Sequence, residues 1–351
     1  ENKKTEDVHV VYGLDADLII LALNHMSWSR DIYLFRETPE FIKSIKVELD
    51  PNEAYLMNIS TLMANICDMM IDKTKVYKNK MNEVDLMKDY VFMMMFMGND
   101  FMPHFPTLNI RTFGIDMILS IYKKVLGYKG QRLIINGIIE WRNVRELVSE
   151  IAKIEEDNFK KEYKIRNKIS KRYKEKHYDT VEEQLNVIPM VDREMEYYID
   201  PFKYFWQNRY YEELFGVERN AFNIEKISMN YLEGLQWNMT YYTHGCKNWS
   251  WTYKYHYPPL FQDLIKHIPL WDIELVEENQ KSITEYQQLA YVLPVSSLSC
   301  LPKELRKKVK QYKETHNNVS IVWSYCKYFW ESHIEFISED FKEICTLVES
   351  V

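Results

Sequence analysis

The feature that most restricts how this chain can fold is a stretch of 37 residues, 140–176, without a proline or a glycine. Lysine, glutamate, isoleucine and tyrosine recur along it at helical spacing. Glycine is scarce throughout the chain, with 9 among 351 residues, and helices tolerate glycine less well than any residue except proline. The sequence therefore predicts a largely helical protein.

The amino-terminal part of the chain shows a mixed pattern of strands and helices. Residues 8–12 (VHVVY) and 32–35 (IYLF) predict strands, the first of them buried. Helices are predicted at residues 18–23, 58–72 and 84–97. The last of these is apolar almost all round toward its end, so we expect it to be deeply buried.

The character of the chain changes at about residue 127, where the segments become long, charged and helix-rich. No repeat of 20–50 residues and no low-complexity linker interrupts them. This change predicts two domains, an α/β domain over residues 1–126 and a predominantly α-helical domain over residues 127–351.

Two segments of the second predicted domain are strongly basic. Residues 160–176 contain nine lysines or arginines against two glutamates, and residues 303–313 contain six basic residues against one acidic residue. Such runs are more often solvated helix faces than nucleic-acid contacts. The first segment is the better candidate for a contact with phosphates, and both interpretations stay open.

Charge and cysteine content narrow the functional classes. The net charge of −7 gives no global attraction for nucleic acid, but it leaves room for a local basic groove. Five widely spaced cysteines without a C-x-x-C pair indicate free thiols in a reducing compartment and no zinc site. No apolar run is long enough for a bilayer and no signal peptide is recognisable, so no membrane partner is expected. The expected location is cytoplasmic, with a nuclear one left open.

The first chemical signal is the pair Asp15 and Asp17, which follows the predicted strand and Gly13. Open α/β folds build their sites at the carboxyl ends of strands, and carboxylate oxygens suit Mg²⁺ or Mn²⁺. Taken alone, the pair is as readily explained by a helix N-cap and a first-turn acid.

The second signal is Asp100, in the sequence Gly98-Asn99-Asp100, where the apolar helix ends. A carboxylate beside a buried element is costly unless it is paired, hydrogen-bonded or bound to a cation. A helix C-cap with Gly98 in the left-handed conformation is the competing explanation. A single metal ion would explain all three aspartates together.

These segments resemble the Xrn-type 5′→3′ exoribonucleases, relatives of the flap endonucleases. The resemblance rests on residues 12–23 (YGLDADLIILAL) and 96–111 (FMGNDFMPHFPTLNIR), and it continues in order through most of the chain. Later matching segments are the aromatic stretch 231–257, the segment 286–302 and the W-E-x-H element at 330–333.

The resemblance implies that Asp15, Asp17 and Asp100 are metal ligands and catalytic residues of a nuclease centre on a PIN-like, flap-nuclease-like α/β core. It further implies Mg²⁺ (or Mn²⁺) as cofactor, two-metal-ion hydrolysis, and single-stranded RNA with a 5′-monophosphate as substrate. Further acids and a phosphate pocket are expected in an amino-terminal nuclease segment or chain that completes the site. The chain alone is expected to be inactive.

The aromatic stretch supplies candidates for RNA contact. Flat side chains can stack on unpaired bases without reading their sequence, although most of them fill cores. We expect one or two of Trp237, Trp249, Trp251 and His256 to face RNA, and we expect His104 to be a satisfied core imidazole. The alternatives to an exoribonuclease are a flap-type DNA nuclease and a non-catalytic RNA-binding or scaffolding relative.

Overall fold

The computed structural model describes residues 5–36, 38, 48–50, 52–72, 74–75, 82–336 and 340–350. These residues are mostly helical, as the long uninterrupted stretch and the scarcity of glycine predicted. Within the described ranges, no helix is both long enough and apolar enough to cross a membrane.

The strands of the described residues are β1 (Thr5–Tyr12), β2 (Ser29–Phe35), β3 (Leu56–Asn58), β4 (Ile134–Ile135), β5 (Ile138–Ile139), β6 (Val319–Val322) and β7 (His333–Phe336). The α-helices are α1 (Asp17–Asn24), α2 (Ile59–Met70), α3 (Glu83–Met94), α4 (Gly114–Val125), α5 (Trp141–Lys174), α6 (Val181–Val191), α7 (Glu194–Ile199), α8 (Trp206–Phe215), α9 (Ala221–His244), α10 (Phe261–Leu264), α11 (Glu285–Val292), α12 (Lys303–Thr315) and α13 (Phe341–Glu349). The predicted helices and strands are therefore confirmed, with ends that differ by at most three residues.

The chain divides into two compact units. The first unit comprises Glu1–Phe159, Val217–Lys247 and Thr252–Glu277, and the second comprises Lys160–Gly216, Asn248–Trp251 and Glu278–Val351. Both units are assembled from separated stretches of chain. The sequence predicted two continuous domains, residues 1–126 and 127–351, and this division stays a prediction.

The first unit contains a three-stranded sheet in the order β1-β2-β3. β1 runs parallel to β2, with Tyr12 opposite Phe35, and β3 is antiparallel to β2. The expectation that β1 is buried is wrong, because Val8, Val10 and Tyr12 are each more than half exposed. β1 lies at the edge of this sheet, and among the described residues only β2 pairs with it.

The apolar helix α3 forms the centre of the first unit. Asn82 caps its first turn, and its end continues into a 3₁₀ turn, Met95–Met97. Leu86, Phe92 and Phe96 are fully buried. The prediction that this helix lies deep in the core is confirmed. Because the helix is buried, the loop that follows it begins at a fixed position.

A buried ionic network lies in the second unit. The Glu196 carboxylate of α7 accepts hydrogen bonds from Arg166 at 2.8 and 2.5 Å and from Arg193 at 2.6 Å. The backbone N–H of Tyr325 donates to the same carboxylate at 3.0 Å. A separate apolar cluster joins α11, α12 and α13 through Ala290, Leu298, Leu301, Leu305, Val309 and Ile344.

Candidate active site

The loop after β1 carries the first two aspartates. The N–H of Gly13 donates to the carbonyl of Phe35 at 3.1 Å, which ends the strand pairing. The Asp15 carboxylate accepts the N–H of Asp17 at 3.0 Å, and α1 begins at Asp17. The capping explanation is therefore partly realised for Asp15, while Asp17 is the acidic residue of the first helical turn.

The loop after the 3₁₀ turn carries the third aspartate, and Asn99 organises it. The Asn99 Oδ1 accepts hydrogen bonds from the N–H groups of Phe101 and Met102, both at 3.0 Å. Its amide nitrogen donates to Asn238 of α9 at 3.0 Å. In the described part of the chain, no hydrogen bond of this turn is accepted by the exposed Asp100 carboxylate, so the capping role falls to Asn99.

Gly98 forms the bend at the start of this loop. Its backbone angles, φ +83° and ψ 154°, lie in a region of backbone conformation that almost only glycine adopts. A Cβ there would meet the backbone nitrogen of His104 at 2.8 Å. We expect Gly98→Ala to lower the free energy of unfolding by roughly 2–4 kcal/mol, because strain and a backbone clash add.

Gly216→Ala provides the matched control for that change. Gly216 also has a positive φ of +63°, but a Cβ there would meet no atom within 4 Å. Urea denaturation should therefore show a loss of only about 1 kcal/mol for Gly216→Ala. Equal losses at both glycines would contradict the proposed clash.

One cavity of about 620 Å³ brings the three aspartates together. α9 supplies one wall of it, and α1 and the turn that follows supply another. Besides Asp15, Asp17 and Asp100, the cavity is lined by Leu18, Leu21, His25, Trp28, Phe101, Tyr241, Tyr242, Thr243, His244 and Gly245. We call this space the aspartate cavity.

Negative charge accumulates in the aspartate cavity. The pKa of Asp17 is raised above its ordinary value by burial and by the neighbouring carboxylates of Asp15 and Asp100. A hydrogen bond from the Tyr242 hydroxyl opposes that shift. Burial and the Asp17 carboxylate in turn raise the pKa of Tyr242 to about 12, so this hydroxyl stays protonated and donates at neutral pH.

The donor chemistry of the aspartate cavity fits a hard divalent cation, because its acidic groups are carboxylates that repel one another. The number of ligands falls short, however. Within the described ranges, no three histidine, cysteine, aspartate or glutamate side chains converge closely enough to hold a metal ion. The aspartates share a cavity without forming a closed ligand cage.

An aromatic cluster adjoins the same cavity, and two of its rings, Phe101 and Tyr241, line it. The rings of Trp237 and Tyr241 are parallel to within 6°, with centroids 5.2 Å apart, and Phe101 meets both edge-on. Trp237 is 6% exposed, whereas Tyr241 is 40% exposed. RNA contact by Trp237 stays a prediction, and the ring of this stack that is open to the cavity belongs to Tyr241.

The other predicted contact residues lie in different places. Trp249 and Trp251 belong to the second unit, where Trp249 is exposed and Trp251 partly buried. His256 and His104 belong to the first unit and are both partly buried. The roles predicted for these four side chains stay predictions.

Sequence reasoning missed Tyr241, Tyr242 and His244 as cavity residues. The available signal was the spacing of Trp237 and Tyr241, since residues four apart share a helix face. No local pattern relates α9 to the loops that carry the aspartates, because more than a hundred residues separate them.

The fold and the cavity describe a largely helical protein with an acidic, aromatic-walled cavity beside a short sheet. The sequence profile of the Xrn1 helical domain matches residues 80–200 and 202–329, which is more than half of the chain. The chain therefore belongs to the Xrn-type family.

Similar proteins span most of this chain. It is 26% identical to the 5′-3′ exoribonuclease 2 of Arabidopsis thaliana, 22% to the 5′-3′ exoribonuclease 1 of Schizosaccharomyces pombe and 25% to that of Homo sapiens. Each alignment covers 84% of the chain, but only 39%, 30% and 19% of the respective relative. The chain thus spans well under half the length of these relatives.

Proposed function

We propose that the aspartate cavity is the part of an RNA-hydrolysing centre that this chain contributes. The reaction is the stepwise hydrolysis of single-stranded RNA from a 5′-monophosphorylated end. The observation that carries the proposal is that Asp15, Asp17 and Asp100, from two distant loops, line one cavity in a chain of the Xrn-type family. The names of the relatives supply the reaction class.

Mg²⁺ (or Mn²⁺) is the proposed cofactor, held by Asp15, Asp17 and Asp100. Two such ions would activate water and stabilise the leaving oxygen of the phosphodiester. The mutual repulsion of the carboxylates supports this proposal, because a divalent cation would relieve it. The parallel pair β1 and β2, with the acids beyond its carboxyl end, is consistent with a PIN-like, flap-nuclease-like core.

The remaining cavity residues orient the acids and the substrate. Tyr242 fixes the Asp17 carboxylate by donating a hydrogen bond. Tyr241, held flat against Trp237, offers a face on which an unpaired base can stack. Such stacking is indifferent to base identity, which suits an enzyme that removes nucleotides one after another.

An amino-terminal nuclease segment or chain is the proposed partner that completes the centre. Two observations support it. The described residues offer too few converging ligands for a metal ion, and among them no strand other than β2 pairs with β1, whose Val8 and Val10 are exposed. A neighbouring strand would pair with that edge and cover it. The cytoplasm is the proposed site of action, and a nuclear location stays open.

The proposal is tested by joining the chain to an amino-terminal nuclease segment of the Xrn type, such as that of a relative. We expect the joined protein to degrade 5′-monophosphorylated single-stranded RNA with Mg²⁺, to spare 5′-hydroxyl RNA and to stop with EDTA. We expect residues 1–351 alone to show no turnover, because no three acidic, histidine or cysteine side chains of the described residues converge on a metal site. A gel or fluorescence assay of labelled RNA measures both.

Three results would contradict this expectation. Robust turnover by residues 1–351 alone would refute the split site. An inactive joined protein that still binds RNA would favour a non-catalytic relative. A preference for branched DNA over RNA would favour a flap-type nuclease instead.

A further inference from the structure

The second unit displays three aromatic rings on one short loop. We call residues 200–205, which join α7 to α8, the aromatic loop. Phe202 is 50% exposed, Tyr204 is 90% exposed and Phe205 is 74% exposed. Three large rings in six residues that remain in contact with water indicate a binding surface.

The aromatic loop is fixed in its shape by a single side chain. The Arg209 guanidinium donates five hydrogen bonds, of 2.7 to 3.2 Å, to the backbone carbonyls of Tyr198, Ile199, Asp200 and Tyr204. Arg209 therefore holds the loop through its backbone and not through its side chains. The loop that carries the rings is therefore already ordered before a ligand binds, which lowers the conformational entropy lost on binding.

The backbone of the loop is strained at both ends. Asp200 has a φ of +34° and Phe205 a φ of +60°, conformations that are unfavourable for residues with a Cβ. Each such residue costs roughly 1–3 kcal/mol and persists only where the surroundings impose it. Strain of this kind is concentrated at ligand-binding segments, so it supports a binding role for the loop.

A stripe of lysines lies beside the aromatic loop. The Nζ of Lys164 on α5 is 5.3 Å from the centroid of the Phe202 ring, and that of Lys160 is 6.0 Å away. Along α5, exposed lysines recur at intervals of three or four residues, so they share one face: Lys161, Lys164, Lys168 and Lys171. We call these four residues the lysine stripe.

We propose that the aromatic loop and the lysine stripe form a second binding surface for single-stranded RNA, outside the aspartate cavity. Lysines on one helix face neutralise backbone phosphates, while Tyr204 and Phe205 stack on bases without reading them. A protein partner fits less well, because lysine is depleted in protein–protein interfaces. The inference rests on the proposed function, since it assumes that RNA is what this protein handles.

The test is the affinity of the full 351-residue chain for a fluorescein-labelled 12-nucleotide oligouridine, measured by anisotropy in EDTA. Tyr204→Ala/Phe205→Ala should weaken binding about tenfold or more, because each stacked base contributes substantially to affinity. Phe222→Ala is the matched control. Phe222 is also 74% exposed, but it belongs to neither the aromatic loop nor the lysine stripe, so its loss should change nothing.

Two further variants separate binding from folding. Phe205→Gly removes the ring and relieves the positive φ, so it should weaken binding while the melting temperature stays equal or rises. Lys164→Gln/Lys168→Gln should lower the slope of log affinity against log salt concentration by about 1.4, or about 0.7 for each lost phosphate contact.

Unchanged affinity in the aromatic variants, or an unchanged salt slope in the lysine variant, would overturn the inference. EDTA suppresses metal-dependent hydrolysis, so this test does not depend on catalysis. An inactive joined protein whose RNA affinity still falls in these variants would overturn the proposed reaction and leave the RNA surface standing. Normal turnover by the joined protein, with unchanged RNA affinity in every variant, would leave the proposed reaction standing and overturn the second RNA-binding surface.

Discussion

Replacement of Asp100 by asparagine is expected to reduce RNA hydrolysis by the joined protein about a thousandfold or more at saturating Mg²⁺. Asparagine keeps the size of the side chain but removes its charge, and metal-assisted stabilisation of the phosphodiester transition state contributes several kcal/mol. Single-turnover degradation of 5′-monophosphorylated RNA measures the loss. Binding of Mn²⁺ followed by electron paramagnetic resonance should weaken in parallel.

The same variant should not destabilise the protein. Asp100 is exposed, and the side chain of Asn99 holds the turn in which Asp100 lies. The charge of Asp100 contributes to the raised pKa of Asp17. Removing that charge lessens repulsion in the aspartate cavity, so the melting temperature should stay equal or rise slightly. This combination of lost activity and retained stability distinguishes a ligand from a structural residue.

Asp116→Asn is the matched control for Asp100→Asn. Asp116 is an exposed aspartate in the first turn of α4 and does not line the aspartate cavity. Its replacement should leave turnover and Mn²⁺ binding unchanged. Undiminished hydrolysis by Asp100→Asn would remove Asp100 from the proposed ligand set, and an equal loss in both variants would show that the assay reports folding.

Local sequence patterns were sufficient to predict the elements that carry the aspartates. An apolar run ending in Gly13 predicted β1. An almost wholly apolar helix over residues 84–97 predicted α3, although the last three of these residues form a 3₁₀ turn. Periodicity is a local property, so it survives without knowledge of the fold. The helix α5 was predicted to within two residues of each end for the same reason.

Contacts between residues that are distant in the sequence could not be predicted from those local patterns. The β-branched run of β1 fits a strand covered on both faces, but its actual exposure depends on which elements pack against those faces. Likewise, the packing of Asn99 against Asn238 joins residues 139 positions apart. The side of α9 that faces the aspartates follows from such contacts and not from helix periodicity alone.

The aromatic loop shows the same limit in the second unit. The basic composition of residues 160–176 was evident, and it favoured a solvated helix face while leaving a phosphate contact open. Only the fold places Phe202 against Lys164 and holds Tyr204 outward through Arg209. The choice between the two interpretations therefore depends on a loop that has no unusual sequence.

The buried ionic network beneath that loop gives the second large expected effect. Glu196→Gln should lower the stability of the second unit by about 3–5 kcal/mol, because it removes the buried carboxylate that bridges the guanidinium groups of Arg166 and Arg193. The N–H of Asp200 also donates to the carbonyl of Glu196, so the aromatic loop begins on this helix. Hydrogen exchange of residues 194–205 should therefore rise, and affinity for the oligouridine should fall with it.

The pH dependence of this effect has a defined sign. Burial alone would raise the pKa of Glu196, but the guanidinium groups of Arg166 and Arg193 hold it below its ordinary value of 4.5. Stability from this carboxylate is thus complete above about pH 4.5 and is lost as the pH falls through the lowered pKa. The difference in free energy of unfolding between wild type and Glu196→Gln should be largest at neutral pH and smaller in acid.

Glu194→Gln, a substitution of an exposed residue on the same helix, should keep the free energy of unfolding within about 0.5 kcal/mol of wild type at every pH. A gap that stays constant into acid would show that Glu196 acts through its shape and not through its charge.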